Sequence, residues 1–196
     1  MTTFTIPTLV TERLLLRAFR KTDMDDYAAL NADPEVLRFR GTGTEPWDPG
    51  RVWRHMAFLL GSWPLGDAGM WALEHRETGG FVGIAGFAEP AGWPGFELAG
   101  ALACRFWGQG YATEGGRAAL AHAFDVLKKD RVISIIHPEN RASIRAAERI
   151  GERLLGRIQH LGQEMLCYGL DRETWLRDAS QPPDDRHQRN DQHEDQ

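Results

Sequence analysis

The spacing of apolar residues divides the chain into short predicted strands and several predicted helices. Compact apolar runs that end at polar or turn residues are typical of strands. They lie at Leu14–Leu16, Met70–Glu74, Phe81–Phe87, Phe96–Ala103, Arg131–Ile136, Leu154–Gln159 and Glu164–Leu170. Capping residues or proline followed by helical spacing indicate helices. Three begin at Thr22 or Asp23, at Pro34 and at Pro49, a fourth ends near Lys128, and a fifth spans Ala142–Ile150.

The order of these elements predicts the fold class. One strand precedes two or three helices, and three strands, a helix, a strand, a helix and two strands follow. Consecutive strands joined by short turns pair antiparallel, whereas a strand–helix–strand step makes a parallel pair. We therefore expect an α/β (mixed α+β) fold with helices on both faces of a mixed, mostly antiparallel sheet of about six to seven strands.

Charge is distributed unevenly along the chain. The sequence has 23 Lys and Arg residues against 28 Asp and Glu residues, which gives a formal net charge of −5. Residues 178–196 contain six acidic residues and two arginines, and they lack apolar periodicity. We expect a single domain over residues 1–177 and a disordered acidic tail over residues 178–196. The near-neutral domain lacks the overall basic charge typical of nucleic-acid binding, so no such partner is expected.

The cysteines and histidines argue against disulfides and metal. Cys104 and Cys167 are too few for a disulfide framework, so a reducing compartment is expected. The seven histidines show no metal-ligand spacing, and we expect no metal site. The chain shows no cationic, apolar leader and no apolar run of about 18 residues, which predicts a cytoplasmic protein without a membrane partner.

A loop with two glycines connects the strand Phe96–Ala103 to the following helix. Arg105–Gly110 has the form R-x-x-G-x-G, and its glycines let consecutive backbone N–H groups point outward. The helix adds its own unpaired N–H donors, so the loop is suited to hold phosphate oxygens. The glycines alone are equally compatible with a plain strand-to-helix turn. Thr113 stands where a dinucleotide fingerprint needs its third glycine.

Five collinear segments carry more information than the loop alone. The longest runs from Glu97-Leu98 to Trp107-Gly108-Gln109-Gly110-Tyr111-Ala112-Thr113-Glu114. The others are Thr11–Arg17, Asp33–Val36, Gly83–Gly86 and Pro138–Ser143. Together these segments resemble the GNAT superfamily of acyl-CoA-dependent N-acetyltransferases, and within it the RimJ/RimL-like group, over roughly residues 11–176.

The resemblance implies an acetyl-CoA cosubstrate and a place for it. The fourth and fifth strands are expected to splay apart in a V, with pantetheine paired like an extra strand along Ala101, Leu102 and Ala103. Asn140 and Ser143 are expected across this gap, beside the pantetheine arm. The pyrophosphate is expected on the loop and helix start, which comprise Arg105, Trp107, Gly108, Gln109, Gly110, Tyr111 and Ala112.

The implied reaction is direct transfer of the acetyl group to an amine in a ternary complex. A protonated amine must lose a proton before it attacks, so a base is needed. Glu97 is the candidate base and His137 a minor alternative, although Glu97 is also compatible with a solvent-facing charge at a strand end. Ser143 or a water molecule is a candidate to protonate the leaving thiolate. Cys104 is predicted to be a small buried residue rather than a nucleophile, since nothing places a base beside it.

Two positions depart from the pattern of the family that the chain resembles. Ala147 stands where many members have a tyrosine that protonates the leaving thiolate, so this chain lacks that general acid. Glu152 follows the helix-ending Gly151, where the family usually has phenylalanine. The second departure is expected to change the packing under the gap between the strands.

Tryptophans and arginines near the predicted site allow two interpretations each. Four tryptophans cluster before the second predicted strand, namely Trp47, Trp53, Trp63 and Trp71. Aromatic walls suit an acceptor site, although we favour core positions for Trp53 and Trp71. A basic helix face is formed by Arg141, Arg145 and Arg149. This face is compatible with contact to the 3′-phosphate of CoA and with plain solvation.

The preferred hypothesis is an N-acetyltransferase that acts on the primary amine of a peptide N-terminus or of a small molecule, as a monomer or homodimer. The main alternative is a non-catalytic acyl-CoA-binding or regulatory module on the same fold, which Ala147 and Glu152 motivate. A weaker alternative is an enzyme that uses the loop to bind a nucleotide diphosphate.

Overall fold

A single sheet forms the centre of the molecule in a computed structural model, which describes residues 4–40, 43, 45–66 and 68–179. Its strands are β1 (Leu9–Val10), β2 (Leu14–Arg17), β3 (Met70–His75), β4 (Phe81–Ala88), β5 (Glu97–Leu102), β6 (Arg131–Ile136), β7 (Arg153–His160) and β8 (Gln163–Asp171). They lie in the order β1-β2-β3-β4-β5-β6-β8-β7. β5 and β6 run parallel, and the other neighbouring pairs are antiparallel. The predicted mixed, mostly antiparallel sheet is confirmed.

Helices lie on both faces of this sheet. They are α1 (Met24–Leu30), α2 (Pro34–Leu37), α3 (Pro49–Gly66), α4 (Tyr111–Ala121), α5 (Arg141–Arg149) and α6 (Arg172–Ala179). The expected caps are present, because Asp33 Oδ1 accepts the Glu35 N–H at 3.0 Å and Asp48 Oδ1 accepts the Arg51 N–H at 2.8 Å. The fourth helix is shorter than expected and continues as a π-helical turn over His122–Val126.

The prediction of about six to seven strands was too low, because the sheet has eight. The additional strand is β1, in which Leu9 pairs with Leu16 of β2. Thr11 closes the turn between them, since its N–H donates to the Leu14 carbonyl at 2.9 Å. A strand of two residues has no measurable alternation of apolar and polar positions, so periodicity alone does not detect it.

Within the part of the chain that the structure describes, three apolar clusters pack the sheet and its helices together, and the two largest lie on opposite faces of the sheet. Under α4, the cluster contains Leu16, Trp71, Leu73, Leu98, Leu120 and Phe124 among its fully or nearly buried side chains. On the opposite face, α1, α2 and α3 cover Tyr27, Leu37, Val52, Met56, Ala72 and Ile84. Leu73 and Ala72 are adjacent in β3 but belong to different clusters, as the alternation of side chains in a strand requires.

The last element of the described residues is a helix that the apolar pattern did not predict. α6 is anchored by Arg172, whose Nε donates to the Phe124 carbonyl at 2.9 Å, and by Trp175, whose ring lies 5.7 Å from that of Phe124. α6 extends over Asp178 and Ala179, the first two residues of the predicted tail. Residues 180–196 of that tail lie outside the described residues. Among the described residues, no helix has the length and apolar character needed to cross a membrane.

Candidate active site

β5 and β6 pair at one position and then separate. The paired residues are Glu97 and Ile133. Beyond them, side-chain contacts take the place of the backbone hydrogen bonds of a regular parallel ladder. Ser134 Oγ donates to the Leu98 carbonyl at 3.1 Å, and the backbone N–H of Ile135 favours the ionised form of the Glu97 carboxyl. The strands therefore diverge and leave a gap, called here the splay cleft, where the fourth and fifth predicted strands were expected to part.

The backbone of β5 lines one wall of the splay cleft. The Ala103 N–H donates to the Val82 carbonyl of β4 at 3.0 Å. Because backbone groups alternate sides along a strand, Gly100 and Leu102 turn theirs toward the cleft, whereas Ala101 faces β4 with Ala103. The predicted pantetheine segment Ala101–Ala103 thus offers the cleft the backbone of Leu102, and sequence reasoning missed Gly100.

The loop after β5 presents unpaired backbone donors. It begins as a 3₁₀ turn over Cys104–Phe106, and the Trp107 N–H bonds the Cys104 carbonyl at 3.1 Å. Gly108 and Gly110 have φ angles of +73° and +85°, which residues with a Cβ adopt only with strain. In the described part of the chain, no backbone carbonyl accepts the N–H of Gly108, Gln109 or Gly110. With α4 beginning directly afterwards, these donors suit a phosphate group.

Three side chains of the loop hold its shape. Arg105 Nη2 donates to the Phe81 carbonyl at 3.1 Å, and Gln109 Nε2 donates to the Arg105 carbonyl at 2.7 Å. Trp107 Nε1 donates to the Leu102 carbonyl at 2.8 Å. Since these side chains are engaged with the backbone, the groups that the loop leaves for a ligand are chiefly its backbone N–H groups.

Arg13, in the turn between β1 and β2, fixes this loop from below, and sequence reasoning missed that role. Its Nε donates to Glu114 Oε2 at 2.7 Å, and its Nη1 donates to the Gln109 carbonyl at 2.9 Å. The guanidinium also lies 4.3 Å from the centre of the Tyr111 ring. Burial favours the neutral form of Glu114, but hydrogen bonds from Thr11 and Arg13 outweigh it and hold the pKa of Glu114 below its usual range. The segment Thr11-Glu12-Arg13 is singled out in the sequence. Its partner Glu114, however, lies about a hundred residues further along the chain.

The start of α5 lies across the splay cleft from the loop. Because β5 and β6 are parallel, their C-terminal ends share one edge of the sheet, and the loop and α5 follow these ends. Asn140 caps α5, since its Oδ1 accepts the Ser143 N–H at 3.1 Å. Arg141, Arg145 and Arg149 are exposed on this helix. The topology thus places Asn140 and Ser143 after β6, at the same edge of the sheet as the loop after β5.

Glu97 is the best-placed base of the site. It is only 7% exposed at the apex of the cleft, so it is not a solvent-facing charge. Burial raises its pKa to about 7, although hydrogen bonds from Trp93 and Ile135 oppose the shift. Trp93 Nε1 donates to Glu97 Oε2 at 2.5 Å, and the Trp93 ring packs edge-on against His160 at 4.5 Å. Trp93 and His160 are further residues of the site that sequence reasoning missed.

Glu152 is a second buried carboxyl near the apex. It is 2% exposed, and its Oε1 lies 3.0 Å from Ser134 Oγ. Its Oε2 has no hydrogen-bond partner among the described residues. Burial raises its pKa to about 7, a hydrogen bond donated by the Ser134 hydroxyl would act in the opposite direction, and the Glu97 charge adds to the rise. Its N–H donates to the carbonyl of Ala147, so the two positions that depart from the family pattern are in contact.

Other candidate residues serve packing or turns. His137 Nδ1 accepts the Glu139 N–H at 3.2 Å, and its ring packs against Phe39 at 5.4 Å. Burial, with the nearby carboxylates of Asp33 and Glu35, raises the pKa of Cys104 to about 11. A thiol that stays protonated at neutral pH is a poor nucleophile, so the non-catalytic interpretation of Cys104 is favoured, although the residue is half-buried.

The tryptophans divide between core and surface. Trp71 is fully buried, as expected, and its ring lies 4.7 Å from that of Trp63, which is also buried. The core assignment of Trp53 was wrong, because 60% of this residue is exposed. The buried stripe of α3 contains Val52 and Met56, and Trp53 lies outside that stripe. Trp47 is buried beneath the guanidinium groups of Arg40 and Arg51.

Comparisons with known proteins agree with this geometry. The Bacillus subtilis (strain 168) protein YkkB is 30% identical over 168 residues, which cover 82% of this chain and 93% of that protein. The crystal structure of an acetyltransferase from Agrobacterium tumefaciens str. C58 has a TM-score of 0.73 and 32% identity, covering 87% of this chain and 97% of that one.

A third relative matches in fold alone. It is a spermidine N-acetyltransferase from Vibrio cholerae, solved in complex with CoA and spermine, with a TM-score of 0.70 and 16% identity over 85% of this chain and 99% of that one. The narrower RimJ/RimL-like assignment stays a prediction. The model of the acetyltransferase (GNAT) domain matches residues 13–153, and this chain belongs to the GNAT family of acetyltransferases.

Proposed function

We propose that the protein transfers the acetyl group of acetyl-CoA to a primary amine, with the thioester held in the splay cleft beside Glu97. The observation that carries this proposal is the arrangement of three features at one site. A phosphate-binding loop lies at the end of β5, an open strand edge faces the cleft, and a buried carboxyl with a pKa of about 7 lies at its apex.

The cleft accounts for how acetyl-CoA is held. The N–H groups of Gly108, Gln109 and Gly110 and the start of α4 receive the pyrophosphate. Pantetheine extends the sheet along the backbone of Gly100 and Leu102. Asn140 and Ser143 face the arm from the opposite wall. One of the two β5 N–H groups is placed to bond the thioester oxygen and stabilise the negative charge that develops there.

Glu97 accepts the proton in the proposed chemical step. The amine gives a proton to the Glu97 carboxylate and attacks the thioester carbon, forming the C–N bond. The C–S bond breaks, its electron pair leaves with sulfur, and the products are the acetylated amine and CoA. A carboxyl with a pKa of about 7 is matched to this task, since it is substantially ionised at neutral pH and still basic enough to take the proton.

Primary amines of peptide N-termini or of small molecules are the proposed acceptors. The neighbour solved with spermine acts on a small amine and shares the fold with this chain. Trp93 donates to Glu97 and packs against His160, so these two rings are the proposed contacts of an acceptor near Glu97. A panel of spermine, short peptides with free N-termini and lysine, scored by release of free CoA thiol, tests the proposal. Tight acetyl-CoA binding without thiol release from any amine would favour the non-catalytic alternative that Ala147 motivates.

Gly110→Ala is expected to raise the Kd for acetyl-CoA about tenfold, measured by calorimetry. Position 110 has a φ of +85°, which costs an alanine roughly 1–2 kcal/mol, and the new Cβ would lie 3.3 Å from Arg13 Nη2. The strain is relieved by a shift of the loop that moves its donors. Gly79→Ala is the matched control, because it has a φ of +70° and open space around it in the β3–β4 turn. Equal acetyl-CoA affinity for both variants would contradict the placement of the pyrophosphate.

Trp93→Phe is expected to move the acid limb of kcat/KM to higher pH by about one unit. The indole N–H donates to the Glu97 carboxylate and lowers its pKa, so loss of that donor raises the pKa. A pH–rate profile measures the shift, and Trp175→Phe in α6 is the control. An acid limb that stays in place would mean that Glu97 does not determine it.

A further inference from the structure

Two buried carboxyls flank the apex of the splay cleft from opposite faces of the sheet. Glu97 is 7% exposed and Glu152 is 2% exposed. Glu97 pairs with Ile133 and shares its face, whereas Ser134 points to the other face and contacts Glu152. The charge of Glu97 opposes ionisation of Glu152. Two interacting buried carboxyls lose their protons in separate steps, so over part of the pH range they hold one proton between them.

The hydrogen-bond partners of Glu97 favour its ionised form. The indole N–H of Trp93 donates to Glu97 Oε2 at 2.5 Å, and the backbone N–H of Ile135 lowers the pKa of Glu97 in the same direction. Both groups are donors that have no lone pair to offer. A carboxyl that meets donors alone gains most from them as a carboxylate. The one proton that Glu97 and Glu152 hold between them is therefore not favoured on Glu97.

The partner of Glu152 favours the protonated form. Ser134 Oγ lies 3.1 Å from the Leu98 carbonyl and 3.0 Å from Glu152 Oε1, but a hydroxyl has one proton to give. The Leu98 carbonyl can only accept. Both contacts of Ser134 are hydrogen bonds at the same time only when its proton goes to the Leu98 carbonyl and a protonated Glu152 donates to Oγ.

The environment of Glu152 Oε2 also favours the protonated form of Glu152. Oε2 is buried and has no hydrogen-bond partner among the described residues. A buried carboxylate oxygen without a donor is far more costly than the carbonyl oxygen of a neutral acid. Of the other titratable groups in the described residues, Cys167 of β8 interacts with both carboxyls. Burial and these charges keep its thiol protonated, while Arg131 acts on it in the opposite direction.

We propose that Glu152 holds the single proton of the pair and acts as a positioning residue, which leaves Glu97 ionised to take the proton of the amine. This inference rests on the proposed function only in its last clause. While Glu152 is neutral, it adds no second charge beside Glu97, and Ser134 remains on the Leu98 carbonyl at the apex. When Glu152 ionises at high pH, Ser134 turns to donate to it, and the Leu98 carbonyl loses its donor.

A titration of the ligand-free protein tests this assignment without any need for turnover. Side-chain carboxyl ¹³C signals of labelled glutamate are followed with pH and assigned with Glu97→Gln and Glu152→Gln. Glu97 is expected to ionise first, Glu97→Gln to lower the pKa of Glu152 by about one unit, and Glu152→Gln to leave the titration of Glu97 nearly in place. If Glu152 ionises first, or if Glu152→Gln lowers the pKa of Glu97 by a similar amount, the assignment is overturned.

The pH profile of turnover tests the positioning role separately. The wild-type kcat/KM is expected to rise as Glu97 ionises and to fall once Glu152 loses its proton in the second step, and Glu152→Gln is expected to remove this fall while the acid limb persists. Glu173→Gln in α6, an exposed position, is the control. An alkaline limb that persists in Glu152→Gln would overturn the role of Glu152. If the wild type itself releases no CoA thiol at any pH, that result counts against the proposed function and not against the assignment of the proton.

Discussion

Glu97→Gln is expected to lower kcat by roughly 10²–10⁴-fold with little change in the Kd for acetyl-CoA. Glutamine fits the same space and its amide oxygen can still accept the N–H of Trp93, so the apex of the splay cleft is kept. It cannot accept a proton, and the amine must then react in its rare neutral form or lose its proton to water. Steady-state kinetics with a saturating amine, together with calorimetry, separates the two quantities.

The wild-type pH profile belongs to the same experiment. Because the pKa of Glu97 is about 7, kcat/KM of the wild type should rise with pH through that value, and Glu97→Gln should lose this dependence. Glu77→Gln, an exposed position in the β3–β4 turn, is the matched control and should behave as wild type. Full turnover in Glu97→Gln would show that another group removes the proton of the amine.

Glu152→Gln is expected to gain stability relative to the wild type as the pH rises. The carboxyl has a pKa of about 7 in the folded protein against an ordinary value of 4.5. The folded state therefore binds this proton more tightly than the unfolded state. The stabilisation is complete below the unfolded pKa and is lost as the pH rises through the folded one. Glutamine does not ionise, so the variant escapes this loss.

The expected gain is about 2 kcal/mol in the free energy of unfolding between about pH 5.5 and pH 8.5. Urea unfolding of both proteins at the two pH values measures it. The double difference cancels any constant cost of the glutamine amide beside Ser134. Glu173→Gln, exposed in the first turn of α6, should show no such pH-dependent gain. A gain that decreases with pH would mean that Glu152 is ionised in the folded protein.

The fold was predictable where the signal is local. Apolar runs and proline or aspartate caps located most strands and helices within a few residues of their observed bounds. β1 was missed because two residues carry no period, and α6 because its stability comes from contacts of Arg172 and Trp175 with Phe124. Such tertiary contacts leave no pattern within the segment itself.

The candidate site was predictable only in part. The glycine loop and the strand before it were visible, and the resemblance supplied Glu97, Asn140 and Ser143. The direction of the β5 backbone groups was not predictable. The alternation along a strand does not tell whether Ala101 or Leu102 turns its N–H and carbonyl toward the cleft.

The roles of the other site residues could not be assigned from the sequence because they depend on contacts between distant segments. Arg13 and Glu114 lie 101 residues apart in sequence, and Ser134 and Glu152 lie 18 apart. Glu152 was recognised as unusual from its position after Gly151, but its effect depends on the Ser134 hydroxyl and on the gap between β5 and β6. A sequence shows that such residues are present and does not show which of them meet.

Calorimetric titration with acetyl-CoA tests most directly whether the splay cleft holds the acyl donor. The account predicts one site per chain with a Kd of about 1 µM–1 mM, weakened in Gly110→Ala and unchanged in Gly79→Ala. Absence of saturable binding at millimolar acetyl-CoA, or tighter binding of ATP than of acetyl-CoA, would contradict it.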